Sequence, residues 1–267
     1  MSLAAQLPAL QVVVPLLTAP LLVLLRGPSL AWAAATAASL MSFAIAVALT
    51  AAVLGQGALH YEMGGWQAPF GITLDIDALG VLMLLLITGA SSLALVSGRE
   101  SLARDIDPGR LHLFYAAWLI AVAGLSGIAV TGDAFNVFVF MEISSLASYV
   151  LIAAGPDRRA LTATFKYLIM GTIGATFYLI GVGLVYMMTG TLNFADMDVR
   201  VAEVTDQLPI LVAAGFITVG LALKAAVFPL HLWLPNAYTC APHIVTAFLA
   251  ACSTKVAIYV LLRFDFF

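Results

Sequence analysis

Residues 210–235 read ILVAAGFITVGLALKAAVFPLHLWLP. From Ile210 to Leu223 no residue carries a charge; Lys224 then stands alone, and Pro229 and Pro235 follow. Such a segment has no water-facing side. A proline removes a backbone donor and clashes with the preceding turn, so it interrupts any continuous helix. The stretch reads as a helix that enters a lipid bilayer and breaks partway. The rest of the chain has the same character: of 267 residues, 63% are hydrophobic and 9% charged, with a mean hydropathy of +1.08. Soluble domains run at about 45–50% apolar and about 25% charged. Eleven Lys+Arg and 14 Asp+Glu cannot cover a water-exposed surface on a chain this long. Composition therefore excludes a soluble enzyme and a disordered tail. A net charge of −3 leaves no basic surface for nucleic acid.

A spanning helix needs about 20 mostly apolar residues. Eight runs qualify: about 7–25, 30–54, 78–97, 111–130, 134–154, 162–188, 208–228 and 243–262. They are too long for barrel strands and show no apolar/polar alternation. The expected fold is all-α, a polytopic transmembrane bundle of about eight helices with a broken seventh. Met1 to Arg26 lacks a basic n-region and is too long for a signal peptide, so it reads as a retained first span. The longest polar connections, 55–77 and 189–207, do not look like independent domains; the second reads as a turn followed by a short acidic segment.

Lys and Arg concentrate in inside loops. With the N-terminus outside, the inner side holds Arg26, Arg99, Arg104, Arg110, Arg158, Arg159 and Lys166. The outer side holds Glu62, Asp75, Asp77, Asp133, Asp196, Asp198, Glu203 and Asp206, with Arg200 as its basic residue. The expectation is a multi-pass protein of the cell inner (plasma) membrane with its N-terminus outside.

The informative residues are charges where a bilayer tolerates few. Insertion scales put a central Asp, Lys or Arg at about 2.5–3.5 kcal/mol. Glu142 lies roughly 12 Å into the fifth span at 1.5 Å per residue, with Ser145 and Tyr149 on the same face at i+3 and i+7. Lys224 is the matching cation on the seventh span, directly before the break. Lys255 stands inside the eighth, with Tyr259 one turn on. His231 falls within the break, and an imidazole suits a group that gains and loses protons. Broken helices free backbone groups that are tolerated only against protein or a water-filled cavity, and transporters place ion sites there. Bland readings stand beside these: a static Glu142–Lys224 pair fixing helix register, Lys255 as a partner-facing structural charge, and His231 as a cap on freed carbonyls. Lys166 reads as an inside anchor or a proton entry, and His243 as interfacial. His60 and His112 read as loop and interface residues.

Enzymatic chemistry finds little support. No GxSxG, HExxH, P-loop or dinucleotide fingerprint occurs, and the single scattered histidines offer no haem pair. Cys240 and Cys252 form neither a CxxC nor a disulfide framework and read as packing residues. No cofactor, metal or catalytic residue of its own is expected. Gly171, Gly174 and Ala175 make a small-residue face suited to close helix packing.

The run FVFMEISSLASY, Phe138–Tyr149, resembles the fifth helix of the D-type subunit of Mrp-type monovalent cation/proton antiporters. KAAVFPLHLWLPN, Lys224–Asn236, looks like that family's broken seventh helix, and Ala237–Phe264 resembles its eighth. Gly64–Trp66 with Pro69–Ile72 matches the loop before its third helix. The superfamily also contains the antiporter-like, proton-pumping subunits of respiratory complex I. The resemblance implies proton translocation through Glu142, Lys224, Lys255 and His231, with Lys166, His243, Tyr259 and Ser145 as accessory candidates. Asn236 departs from the aspartate of many members. The family fold has about fourteen helices, including two inverted five-helix repeats. The sequence then divides into 1–110, three N-terminal spans, and 111–267, the first repeat and a proton half-channel.

The function so implied is a membrane subunit of a multi-subunit Na+/K+–proton antiporter. Its partners would be the lipid bilayer, protons and monovalent cations, and other antiporter or complex I-like subunits, one of which supplies the second repeat. The first rival is a proton-translocating subunit of a complex I-like NADH:quinone oxidoreductase. The second is a non-conducting assembly or scaffold subunit.

Overall fold

The computed structural model describes residues 3–25 and 27–264; Arg26, counted above among the inner basic residues, lies outside the described residues. Its elements run α1 Leu7–Leu24, α2 Pro28–Gln56, β1 Leu59–Glu62, β2 Thr73–Ile76, α3 Ala78–Ser97, α4 Arg99–Asp105 and α5 Leu111–Val130. They continue with α6 Ala134–Ala153, α7 Arg159–Thr189, α8 Phe194–Glu203, α9 Leu208–Lys224, α10 Leu234–Cys240 and α11 His243–Arg263. Among the described residues, seven of these helices are long and apolar enough to cross a membrane. The eighth apolar helix, α9, has 17 residues, at the lower limit of about 17 for a span. The fold is a polytopic transmembrane helical bundle, as expected.

The middle of the bundle is α5. Every residue from Phe114 to Val130 except Ile120 is buried, so this helix is apolar all round, as an enclosed helix must be. Around it, α1 packs on α2 and α5, α2 on α3, and α6 on α5 and α7, while α11 crosses α3, α5 and α9. The expected small-residue face does bring helices together. A Cβ on Gly220 of α9 would sit 2.6 Å from the Gly174 carbonyl of α7, and one on Gly181 would sit 2.6 Å from Ile217. Buried hydroxyls tie the first helices: Ser39 bonds Ser91 at 2.8 Å and Ser92 at 3.1 Å, and Trp118 donates to Ser91 at 2.9 Å.

The two ends of the bundle differ. One, the arginine end, carries Arg99, Arg104, Arg110, Arg158 and Arg159 in the α3–α5 and α6–α7 connections. The other, the hairpin end, carries the antiparallel pair β1–β2, with Leu59 opposite Ile76 and Glu62 opposite Thr73, and α8. The strands are an addition to the sequence reading. Short as they are, a bridge from Leu74 to Thr131 fastens β2 to the end of α5, and a second bridge from Asp133 to Asn193 ties the starts of α6 and α8 together. Three helices here start on a side-chain cap: Asp77 accepts from Gly80 N at 2.8 Å, Asp133 from Asn136 N at 2.7 Å, and Asn193 from Asp196 N at 3.2 Å. Each satisfies an amide the helix itself leaves unpaired. The segment expected as a turn plus acidic stretch is the amphipathic α8, which buries Met197 and Val201 and carries an Arg200–Asp196 pair at 2.9 Å.

The span expected over 208–228 ends earlier, at Lys224. Val227 N bonds Ala222 O at 2.9 Å and Ala226 N bonds Leu223 O at 3.2 Å, while Ala226 has φ 55°. This is a Schellman termination with a left-handed residue just past the helix. Residues 225–233 then turn before α10 begins.

Candidate functional site

Where α9 stops, its last helical side chain points into the bundle. Lys224 is 8% exposed. Its ammonium donates to Ser145 Oγ at 2.7 Å and to Glu142 Oε1 at 3.4 Å. Glu142 and Ser145 sit one turn apart on α6, so both face α9. The serine contact is the short one; the carboxylate lies beyond the usual 2.7–3.2 Å range for N–H···O bonds. An ammonium removed from water costs several kcal/mol unless its donors are used. A lysine has three donors, and Ser145 and Glu142 take two.

The third is available to a narrow cavity beside Lys224. Its polar lining comes from Ser144, Ser145, Tyr167, Lys224 and Ser253, and it closes on α5 and α11 against residues such as Ile128 and Val260. Its volume is about 20 Å³, room for a single water by the criterion of roughly 10–15 Å³ each. A carboxylate, an ammonium, hydroxyls and one water position make a set that can hold and pass a proton without any resident metal. Among the described residues, no group of three or more His, Cys, Asp or Glu is placed to hold a metal ion.

Aromatic side chains fix the helix break against this site. Trp233 reaches back across the turn and donates its indole N–H to Leu223 O at 3.0 Å. Its ring stacks on Tyr167 at 4.1 Å and 7°, and Tyr167 meets Tyr149 edge-on at 4.7 Å. The ladder joins α6, α7 and the turn. Gly171 makes the approach possible: a Cβ there would collide with the Tyr149 hydroxyl and lie 3.8 Å from Lys224 Nζ. Tyr167, Trp233, Ser144 and Ser253 did not stand out in the sequence. The available signal was spacing: Tyr167 is one turn before Gly171, and Ser253 two residues before Lys255.

The sequence candidates do not all converge. Glu142, Lys224 and Ser145 are joined by direct bonds. Lys255 is on the exposed side of α11, and its ammonium donates to Ala250 O at 2.6 Å. Ser253, which lines the cavity, faces away from Lys255, because residues two apart on a helix point in different directions. His231 lies in the turn with its ring 5.6 Å from that of Phe228, and among the described residues its buried Nδ1 has no partner. Lys166 on α7 and His243 at the start of α11 are exposed. Tyr259 is buried at the hairpin end, donating to Ala129 O at 2.9 Å and accepting from Arg263.

Comparison with known proteins gives this geometry relatives. Residues 131–267 match the family described as "NADH:quinone oxidoreductase/Mrp antiporter, TM". The N-type subunit of the NADH-quinone oxidoreductase of Desulforudis audaxviator is 43% identical over 99% of this chain and 53% of its own length. The D-type subunit of the Na(+)/H(+) antiporter of Bacillus subtilis is 33% identical over 95% of this chain and 51% of its own. A polypeptide in the Mrp complex from Dietzia sp. DQ12-45-1b superposes with a TM-score of 0.88 at 30% identity, covering 98% of this chain and 48% of that one. The chain thus spans about half the length of the relatives it matches.

Proposed function

Because this chain belongs to the NADH:quinone oxidoreductase/Mrp antiporter transmembrane family, we propose that it works as a membrane subunit of a multi-subunit monovalent cation/proton antiporter, carrying protons on Lys224. One observation bears most of the weight: a buried ammonium at a mid-span helix break, held between Ser145 at 2.7 Å and Glu142 at 3.4 Å, beside a cavity sized for water. Buried charges in spanning helices are functional by default. Here the longer contact to Glu142 leaves the ammonium able to change partners. A proton placed on or taken from one of two interacting groups alters the charge its neighbour feels.

On this reading residues 111–267 are the conducting five-helix unit and 1–110 the three-helix flank, with the hairpin end outside. Lys255, His231, Lys166 and His243 serve proton movement beyond the Lys224 site. The likeness to a bacterial antiporter supports the plasma membrane as its location, and the exposed Lys255 supports a neighbouring membrane protein packed against α11. Lys224→Ala, assayed in vesicles containing the whole complex, is expected to abolish cation-driven proton movement with assembly intact. A complex that falls apart, with no separate transport defect in what remains, would favour a purely structural ion pair.

The 43% identity to a component of an NADH-quinone oxidoreductase supports a second reading, the proton-translocating arm of a redox complex. Native mass spectrometry of the gently extracted particle separates the two. Membrane companions alone support the antiporter. Soluble subunits with flavin or iron–sulfur absorbance support the redox complex.

A further inference from the structure

We propose that Asp77, Arg263 and Tyr259 form a latch that closes a second way into the Lys224 cavity, from the hairpin end of the bundle. The inference rests on the proton-carrying reading of Lys224 for its function, and on the arrangement of two cavities for its geometry. The first cavity is the one beside Lys224. Its lining residues nearest the hairpin end are Ile128 on α5 and Val260 on α11. The second is a wider vestibule of about 310 Å³ open at the hairpin end, lined by His60, Asp75, Asp77, Thr131, Asp198 and Arg263 among others. Both cavities therefore use the same two helices, α5 with its continuation and α11, at successive depths.

The wall between them is thin. From Ile128 to Thr131 is three residues, and from Val260 to Arg263, which also lines the vestibule, is likewise three. At 1.5 Å per residue these are axial steps of about 4–5 Å. At the level of this step the Tyr259 hydroxyl donates to Ala129 O at 2.9 Å. Arg263 bonds that hydroxyl through Nε at 2.9 Å and Nη2 at 2.7 Å, and its two Nη atoms meet the Asp77 carboxylate at 2.7 Å each. The guanidinium also lies over the Tyr259 ring at 4.8 Å. Bidentate Arg–carboxylate contacts are directional and among the stronger polar contacts a protein makes, so the latch is held from α3 as well as α11.

The surroundings fit a closure that opens. Asp77 is 40% exposed and Arg263 24%, so the tie borders the open vestibule rather than being sealed inside the bundle. Gly80 lets the start of α3 come this close: a Cβ there would lie 3.1 Å from Ala129 O and 3.3 Å from Asp77 Oδ1. Burial pushes the Asp77 carboxyl up, but the Arg263 bond, the Gly80 amide and the guanidinium charge together outweigh it and hold it below the usual carboxylate range. At neutral pH the tie is ionised and shut. A tie serving only helix packing has no need to line one cavity and stand within a turn of another.

The test uses the solubilised complex and a cysteine at the inner cavity, Val260→Cys, probed with a small methanethiosulfonate reagent; labelling of Cys240 and Cys252 in the parent is subtracted. With the latch intact the thiol is expected to label slowly. Adding Asp77→Asn, which keeps the α3 cap oxygen but removes the charge, or Arg263→Gln, is expected to speed labelling at least tenfold. Unchanged labelling in the folded Asp77→Asn protein overturns the proposal even where Arg263→Gln does not assemble. In proteoliposomes the same variants are expected to leak protons, and Lys224→Ala to stop that leak. Fast labelling with no leak keeps the latch and overturns the proton-carrying reading of Lys224.

Discussion

At the residue scale the site depends on a glycine as much as on its charges. Gly171 faces the Tyr149 hydroxyl and Lys224 Nζ, so Gly171→Ala pushes the tyrosine hydroxyl off its place and crowds the lysine. Overpacking of this kind costs about 1–3 kcal/mol. The expected result is a transport loss of at least tenfold with the complex still assembled. Tyr149→Phe removes the colliding oxygen and is expected to restore much of the activity in the double variant, measured by proton flux in vesicles. Failure of that rescue would place the glycine's role elsewhere. Glu142 and Lys224 were legible in the sequence because a carboxylate and an ammonium inside apolar runs have few bland explanations. Tyr167 and Ser253 were not, since tyrosine and serine are ordinary in spanning helices, and only packing reveals that their hydroxyls share a cavity with Lys224. Nor does one-dimensional spacing show that Ser145 is nearer to Lys224 than Glu142 is.

At the scale of elements, run length read the spans well: the expected 78–97 and 111–130 coincide with α3 and α5. It failed at the end of α9 for a reason in the backbone. Helices that finish with a left-handed residue usually announce it with glycine, whereas here Ala226 occupies that position at φ 55°, so apolar residues 225–228 looked like more helix. A left-handed conformation costs a Cβ-bearing residue roughly 1–2 kcal/mol. Ala226→Gly should therefore stabilise the termination by about 1 kcal/mol, less the entropy a glycine adds to the unfolded chain. Thermal unfolding of the detergent-solubilised complex is expected to shift up with transport retained. A downward shift would show that the alanine methyl packs usefully. The β1–β2 hairpin escaped the sequence reading because each strand has four residues, too short for an alternation pattern to stand out from a polar connection.

For the whole molecule the telling features are exposed groups that suit neither water nor lipid. Lys255 is exposed halfway along α11 and bonded only to the Ala250 carbonyl among the described residues, and the turn after α9 leaves Val227 and Phe228 open at 49% and 82%. Irregular backbone at membrane depth is stable only against protein or a water-filled cavity, and a central lysine facing hydrocarbon costs about 2.5–3.5 kcal/mol on insertion scales. If lipid covered this side, Lys255→Leu would remove that cost and stabilise the particle. If a partner protein covers it, as proposed above, the same substitution strands whatever group meets the ammonium and weakens assembly. Truncating one member of a desolvated charge contact typically costs about 2–5 kcal/mol. The expectation is dissociation of the Lys255→Leu complex at detergent concentrations the parent survives, read by native mass spectrometry. A particle that instead becomes more robust, with its set of subunits unchanged, would place lipid against α11 and require the partner to dock on another face.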